Sequence, residues 1–442
     1  MSCHQGGIIA LGIGAQGLSA ASCVSLYRAI CREGFKPKTF TKAPGLSWLA
    51  RWFRGSIYKS DAMATVLDQT FGSTARTDEI SVFGMSNHTR VAITTTVGDD
   101  CRLIANYNHG GSERYLHSAR MRPWQAYDPP GSFSTPLPAL FGKSAADMYV
   151  ILCNRARCTS AAPLYFEPET CHGEECRDGG LKHNNPVQLG VNECKDIWHP
   201  DVAFDVILSV GSGRSRKQLQ KPAPWKLLPE WLIGLFNTLM STMDGEAAWE
   251  RFIQGQEPRI RNRATRLNVK FPGDEAPALD DTSKIDSMER MAYGFEFSEA
   301  RADLLDPFSP ASGLFLHGHT LLEQLADQLW ASMYFFQLVS IRKQKDIYSV
   351  TGWIGCRIQP GEGALLILLQ RTEGFWVKGR ELPMPYDAAF HNPGLHVPVE
   401  FNHQAIDDAI RIDVDFGETH RVSISGFPLT LRVSVAVPSH FI

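Results

Sequence analysis

Asp178-Gly179-Gly180-Leu181-Lys182-His183-Asn184-Asn185-Pro186-Val187 is the stretch on which the reading of this chain turns. An aspartate directly before two glycines reads as a tight turn, a setting in which its carboxylate can serve as a catalytic base. Asn185-Pro186 marks a second turn, and Val187 to Trp198 then reads as a helix that ends before His199-Pro200. Upstream, Arg90-Val91-Ala92-Ile93-Thr94-Thr95-Thr96-Val97 is a continuous, largely β-branched run, and downstream Asp205-Val206-Ile207-Leu208-Ser209-Val210 is another. Both read as strands buried on two faces. With Ala161-Ala162-Pro163 as a further turn, the alternation predicts an α/β protein with a mostly parallel, helix-covered sheet.

Toward the N-terminus, Ile8-Ile9-Ala10-Leu11 follows a glycine pair and suits the start of a buried helix. Ser19 is placed to cap a second helix carrying Cys23, Leu26, Tyr27 and Ile30 on one face. The apolar stretch Gly6 to Ala21 resembles a signal peptide only in part, since it lacks a basic leading region and contains several glycines. Beyond a polar linker, Arg214 to Pro224, the residues Trp225, Leu228, Leu232, Leu235 and Leu239 recur at helical spacing. They read as a core-facing helix, with a membrane-touching stripe as the alternative. From about Tyr348 the texture becomes short alternating runs: Tyr348 to Ile358, Ala364 to Leu369, Val397 to Phe401, Ile410 to Phe416, Val422 to Ile424 and Thr430 to Val437. They predict a smaller β-rich domain, with a sandwich as one form of it. The expected division is 1–215, a helical extension over 216–330, and the β-rich domain over 331–442.

A chain of 442 residues is long enough for two domains. A formal charge of -3 without a basic stripe argues against a nucleic-acid partner. The ten cysteines show no disulfide-framework spacing and read as reduced thiols, pointing to an intracellular, cytoplasmic protein. The run Gly363 to Leu369 is far shorter than the roughly 20 residues that span a bilayer, so no transmembrane helix is predicted. Cys171-His172-Gly173-Glu174-Glu175-Cys176 has no second cluster at zinc-like spacing and reads as a solvated loop. His109, His117 and His183 are candidate bases, each more simply a surface or hydrogen-bonded histidine, and Asp99-Asp100 and Asp280-Asp281 read as solvated acidic loops. Asn184 and Asn185 are expected to brace the turn after Asp178.

Taken together, the motifs resemble the patatin-like phospholipases, in particular fungal patatin-like acyl hydrolases. Asp178-Gly179-Gly180 with Asn184-Asn185-Pro186 matches that family's D-G-[GA]-x-x-x-N-N-P segment. Arg157-Cys158-Thr159-Ser160-Ala161-Ala162-Pro163 with Tyr165-Phe166 matches its R-A-T-S-A-A-P-x-Y-F segment. Ser209-Val210-Gly211-Ser212-Gly213 resembles its S-x-G-T-G turn, and Gly6-Gly7-Ile8-Ile9-Ala10-Leu11-Gly12 resembles the stretch after its nucleophile serine. The resemblance implies a three-layer sandwich around a mostly parallel sheet. It also implies cofactor-free and metal-free hydrolysis of phospholipid or related acyl esters at a membrane surface, by a Ser-Asp dyad with Asp178 as proton acceptor and Gly179 and Gly180 as its motif.

Such chemistry also needs a serine on a G-x-S-x-G elbow and a glycine-rich oxyanion turn. Alignment of Gly6-Gly7 with the end of the elbow puts His4 in the serine position, with Ser2, Cys3 and Gln5 around it. The oxyanion turn and the first strand would precede Met1. The expectation is therefore an N-terminally truncated member with impaired turnover, since loss of a serine nucleophile costs on the order of a millionfold. A non-catalytic scaffold that only binds lipid or partners is the alternative. The proline-containing stretch Tyr127 to Arg155 interrupts an otherwise family-like W-Q-A-A-R-C-T-S-A-A-P join and reads as an atypical insertion, either retained non-coding sequence or a surface loop.

Overall fold

A computed structural model of the chain describes residues 4–35, 58, 60–74, 89–105, 156–163, 165–171, 174–198, 200–214, 245–271, 281–295, 321–358, 360–384, 395–417 and 421–431. The insertion at 127–155, the stripe from Trp225 to Leu239, His109, His117, His172, Asp280 and the run beyond Leu431 lie outside these residues. The chain divides into two compact units: Met1–Val202 with Ser209–Gly255 and Asn268–Phe295, and Ala203–Leu208 with Gln256–Leu267 and Glu296–Ile442.

The first unit opens with α1 (His4–Ala10), which runs on through a π-turn, Leu11–Ala15, and then α2 (Ala20–Gly34). Ser19 caps α2 as expected, its Oγ accepting from the Ser22 N–H at 3.1 Å. Cys23, Leu26 and Ile30 are buried along one stripe of α2, which packs on α3 (Ser60–Thr74) through Met63, Val66 and Leu67. Strands β1 (Ala92–Val97), β2 (Asp100–Ala105), β3 (Glu169–Cys171) and β4 (Glu174–Asp178) form one sheet in the order β2-β1-β4-β3. Ala92 through Thr96 are all buried, so the two-faced burial predicted for this run holds.

The expected parallel pairing does not hold in this sheet. Each of its three ladders, β1 with β2, β1 with β4 and β3 with β4, is antiparallel. The cause is local. Gly98, at φ +56, and Asp99 close a two-residue hairpin between β1 and β2, too short for the crossover that parallel strands require. Asp99 thus lies in that turn and Asp100 opens β2, both exposed, rather than forming a free acidic loop.

Short helices α4 (Gly180–His183) and α5 (Val187–Ile197) follow β4, with Trp198 as the C-cap residue of α5. Strand β5 (Ile207–Val210) comes next, then α6 (Gly245–Gly255), α7 (Pro258–Arg261) and β6 (Ala264–Leu267), with β5 paired to β6. The reading of β5 as buried on both faces is corrected: Ile207 and Ser209 are buried, while Leu208 and Val210 are 40% and 69% exposed. A parallel bridge, Arg214 to Lys270, lies farther along in the first unit, and α8 (Ile285–Tyr293) follows a 3-10 turn capped by Asp281.

The second unit continues with α9 (Leu321–Ala331), the long hairpin β7 (Tyr334–Gln344) and β8 (Ile347–Cys356), and α10 (Gly363–Arg371). β9 (Gly374–Val377), β10 (Arg380–Pro383), β11 (Val397–His403), β12 (Ile412–Asp415) and β13 (Arg421–Ser423) complete it. Two antiparallel sheets, β10-β9-β12-β13 and β11-β8-β7, feed one core that includes Tyr334, Ile354, Phe375, Val399, Ile412 and Val414. Ala364 to Leu369, expected as a strand, is helical. Its alanine and leucines are good helix formers, and Leu368 and Leu369 are buried with Leu365 half-buried, the i, i+3, i+4 spacing of a helix face.

Candidate functional site around the Asp178 turn

Asp178 is the last residue of β4 and is fully buried. Its Oδ1 accepts from the Gly180 N–H at 2.7 Å, a charge-assisted bond that orients the carboxylate at the start of α4. Its backbone N–H donates to the Ala161 carbonyl at 3.0 Å, and the next N–H, of Gly179, donates to the Thr159 carbonyl at 3.4 Å. Two segments that stand apart in sequence, Thr159-Ser160-Ala161 and Asp178-Gly179-Gly180, are thus joined main chain to main chain.

β1 completes the frame with three consecutive threonines. The Thr95 hydroxyl donates to the carbonyls of Cys158 (2.9 Å) and Arg177 (2.8 Å), and the Thr96 hydroxyl to that of Asp178 (2.9 Å). The Thr159 hydroxyl returns to the Thr94 carbonyl at 2.7 Å. Sequence reasoning passed over these threonines because a β-branched run in a buried strand reads as packing. Three buried hydroxyls in succession were the available signal, since each needs a partner.

Gly179 is required here for space and not for backbone freedom. Its φ of -63 and ψ of -24 are ordinary for any residue, yet a Cβ on it would lie 2.2 Å from Thr94 Oγ1 and 2.3 Å from the Thr94 carbonyl oxygen. Gly7 makes a similar approach from α1, where a Cβ would meet Thr159 Cγ2 at 2.6 Å. The three stretches singled out from sequence, 6–12, 157–166 and 178–186, therefore converge on β1 and Thr159. His4 is the first residue of α1; its side chain, that of Gln5, and residues 1–3 lie outside the described part.

Asn185 braces the turn as expected. Its Oδ1 accepts from the Val187 N–H (3.3 Å) and the Ser209 hydroxyl (3.1 Å), and its Nδ2 donates to the Gly245 carbonyl (3.1 Å). Asn184 is exposed at the end of α4. Gly213, at φ +108, holds the Ser209–Gly213 turn with its N–H on Asn268 Oδ1 at 2.7 Å. His183 is half-buried, and burial, helped by neighbouring Lys182, pushes its pKa down, so the imidazole is neutral at pH 7.

Cys171 to Cys176 is not the solvated loop expected. Cys171 ends β3 and Glu174 to Cys176 lie in β4, antiparallel neighbours in which Glu169 faces Cys176 and Cys171 faces Glu174. Cys176 and Cys158 are fully buried and Cys171 is half-buried; the Cys176 thiol donates to the Glu174 carbonyl at 3.6 Å, and the three thiols lie close enough to act on one another's protonation. Those contacts with Cys171 and Cys176, and burial, push the Cys158 thiol up; Cys176, lowered by Cys158, is raised by Cys171 and by burial to about 12. Cys158 and Cys176 are protonated packing thiols at neutral pH. Among the described residues no group of three or more His, Cys, Asp or Glu side chains is arranged to hold a metal ion, and no helix is long and apolar enough to cross a membrane.

Comparison with known proteins joins these observations. Residues 6–190, which contain all three converging stretches, match the family model described as patatin-like phospholipase. A human calcium-independent phospholipase A2-gamma is 26% identical over 246 residues, covering 54% of this chain and 26% of that protein. The rabbit protein of the same name is 25% identical over 244 residues, with the same coverage, and phospholipase A I of Arabidopsis thaliana is 26% identical over 159 residues, covering 27% of this chain and 12% of that protein. The chain thus spans about a quarter of the length of the mammalian relatives it matches. With its motif segments gathered on one buried aspartate turn, residues 6–190 carry the match to the patatin-like phospholipase family model.

Proposed function

We propose that this protein is built for lipid acyl-ester hydrolysis, with Asp178 as the proton acceptor of a Ser-Asp dyad and Gly179 and Gly180 as the turn that presents it. The observation that carries this reading is the anchoring of a fully buried carboxylate by backbone bonds to Thr159, Ala161 and Gly180, at the crossing of the three family-like stretches. A carboxylate so held can take a serine proton without reorienting, which general-base catalysis requires. The substrate is a phospholipid or related acyl ester presented at a membrane surface, and no metal or cofactor takes part. The three-layer patatin arrangement, the division at 1–215, 216–330 and 331–442, and a cytoplasmic, peripheral location belong to the same proposal.

A second reading is favoured by one residue. His4 stands where the elbow serine would be aligned, which is the sequence of a lipid-binding scaffold with impaired turnover. One experiment addresses both. Purified chain and its Asp178→Asn variant are assayed with a fluorogenic acyl ester, and each is treated with a serine-directed fluorophosphonate probe. Dyad chemistry is expected to show as hydrolysis that falls about 10⁴-fold in the variant, with one serine labelled. Equal rates and no labelled serine would leave the scaffold.

A further inference from the structure

The closed end of the β7–β8 hairpin has a composition that the core beneath it does not explain. Arg342, Lys343, Gln344, Lys345, Asp346 and Ile347 are consecutive and all exposed. Three cations face one carboxylate there, a local charge of +2 (3 minus 1), on a chain whose net charge is -3. Among the described residues, no ion pair engages Arg342, Lys343 or Lys345. Ile347 is 44% exposed at the tip and Val339 is 66% exposed at the bulge between Leu338 and Ser340, so aliphatic surface accompanies the charge.

The ladder register sorts these groups by face. Lys343 pairs with Tyr348, and its Nζ stands 5.3 Å from the tyrosine ring centroid; Arg342 pairs with Ser349, and Gln344 with Ile347, on the other face. Lys345 sits in the turn at φ +53, in the left-handed region where glycine is at ease and lysine is not. A fourth cation lies at the same end of the sheet: Lys378 Nζ donates to the carbonyl of Asn402, which pairs with Ser349. The carboxylates of this end are Asp346 and, just past β11, Asp407 and Asp408; the backbone carbonyl of Asp408 lies 3.3 Å from His403 Nε2.

We propose that this hairpin end docks on an anionic phospholipid surface, its cations meeting the headgroup phosphates and carboxylates while Ile347 enters the acyl boundary. Charge complementarity selects the anionic leaflet, and the exposed aliphatics select a lipid surface over a nucleic acid, whose phosphate backbone gains nothing by burying them. The inference rests on the phospholipase reading for the kind of surface, but it does not use Asp178 or require turnover.

The test is co-sedimentation of the full chain with phosphatidylcholine vesicles, with and without phosphatidylserine, at low and high salt. The expected result is binding that requires phosphatidylserine and is released by salt. Lys343→Glu/Lys345→Glu should weaken partitioning by about tenfold or more, and Ile347→Ser should weaken it severalfold at all salt concentrations. Lys343→Arg/Lys345→Arg and the distant control Lys284→Glu/Arg290→Glu should behave as wild type. No binding by the wild type, equal binding to neutral vesicles, or equal losses in the hairpin and control charge reversals would overturn the proposal. Because hydrolysis is not read, failure here is separable from failure of the Asp178 chemistry.

Discussion

Asp178 and Gly179 divide the work of the turn. The aspartate supplies the carboxylate, and the glycine lets the main chain lie against Thr94 closely enough for Thr96 and Thr159 to bond around it. Gly179→Ala is accordingly expected to destabilise the first unit by about 1–3 kcal/mol, the usual penalty for overpacking, which a shift in urea midpoint would register. Asp178→Asn is close to isosteric and keeps an acceptor for the Gly180 N–H, so it should leave the midpoint within about 0.5–1.5 kcal/mol while abolishing any hydrolysis. The buried thiols predict a pH effect of definite sign. Cys176 is raised from 9.0 to about 12, so the folded chain holds protons that the unfolded chain releases in that window. Stability is complete below pH 9 and falls as pH rises toward 12; urea midpoints at about pH 8 and about pH 10.5 should show the loss, reduced in Cys176→Ala. At this scale much was legible beforehand. Asp178 ends its strand at a glycine turn, and Asn185 and Ser19 bond the main chain, where their residue types said they would, because turns and caps are local chemistry. The thiol cluster was not, because Cys158 meets Cys171 and Cys176 only through the fold.

Elements were legible where pattern and environment agree. The run at β1 is β-branched and buried on both faces, and α2 carries its apolar stripe behind a serine cap. Ser19→Ala should lower stability by about 1 kcal/mol, measurable as a drop in the melting temperature of the first unit. Ala364 to Leu369 illustrates the ambiguity that remains: a short continuous apolar run satisfies a strand and a helix alike, and only the burial of Leu368 and Leu369 beside exposed Leu366 and Ile367 resolves it. Strand direction was misread for a related reason. Residue pattern reports which faces are buried, whereas direction is set by the connection, and the Gly98-Asp99 turn admits only the antiparallel one.

On the scale of the molecule, two separate cores stand out, one around Ile93, Leu67 and Cys158 and the other around Tyr334, Phe375 and Ile412. Phe375 is fully buried, packs edge-on against Tyr334 at 5.0 Å between ring centroids, and has its neighbours within the second core. Phe375→Ala is expected to cost that core about 3–5 kcal/mol. Hydrogen exchange followed by mass spectrometry should then accelerate in residues 334–356 and 397–415. Protection of residues 92–105 should be unchanged. The sequence pattern foresaw a β-rich C-terminal region, but the pairing order of its strands depends on contacts distant in the chain and was not readable.

The manner in which Asp178 is fixed bears on how this protein can change over generations. Three of the bonds that define its position begin and end on the main chain or on its own carboxylate: Asp178 to Ala161, Gly179 to Thr159 and Gly180 to Asp178. Such bonds do not run through the side chains at 159–161, so exchanges there that keep the buried volume leave the aspartate where it is. Positions 7 and 179 have no comparable latitude, since any larger residue collides. A saturation library scored for folded protein should therefore show its narrowest columns at Gly7 and Gly179, with small residues tolerated at 160 and 161.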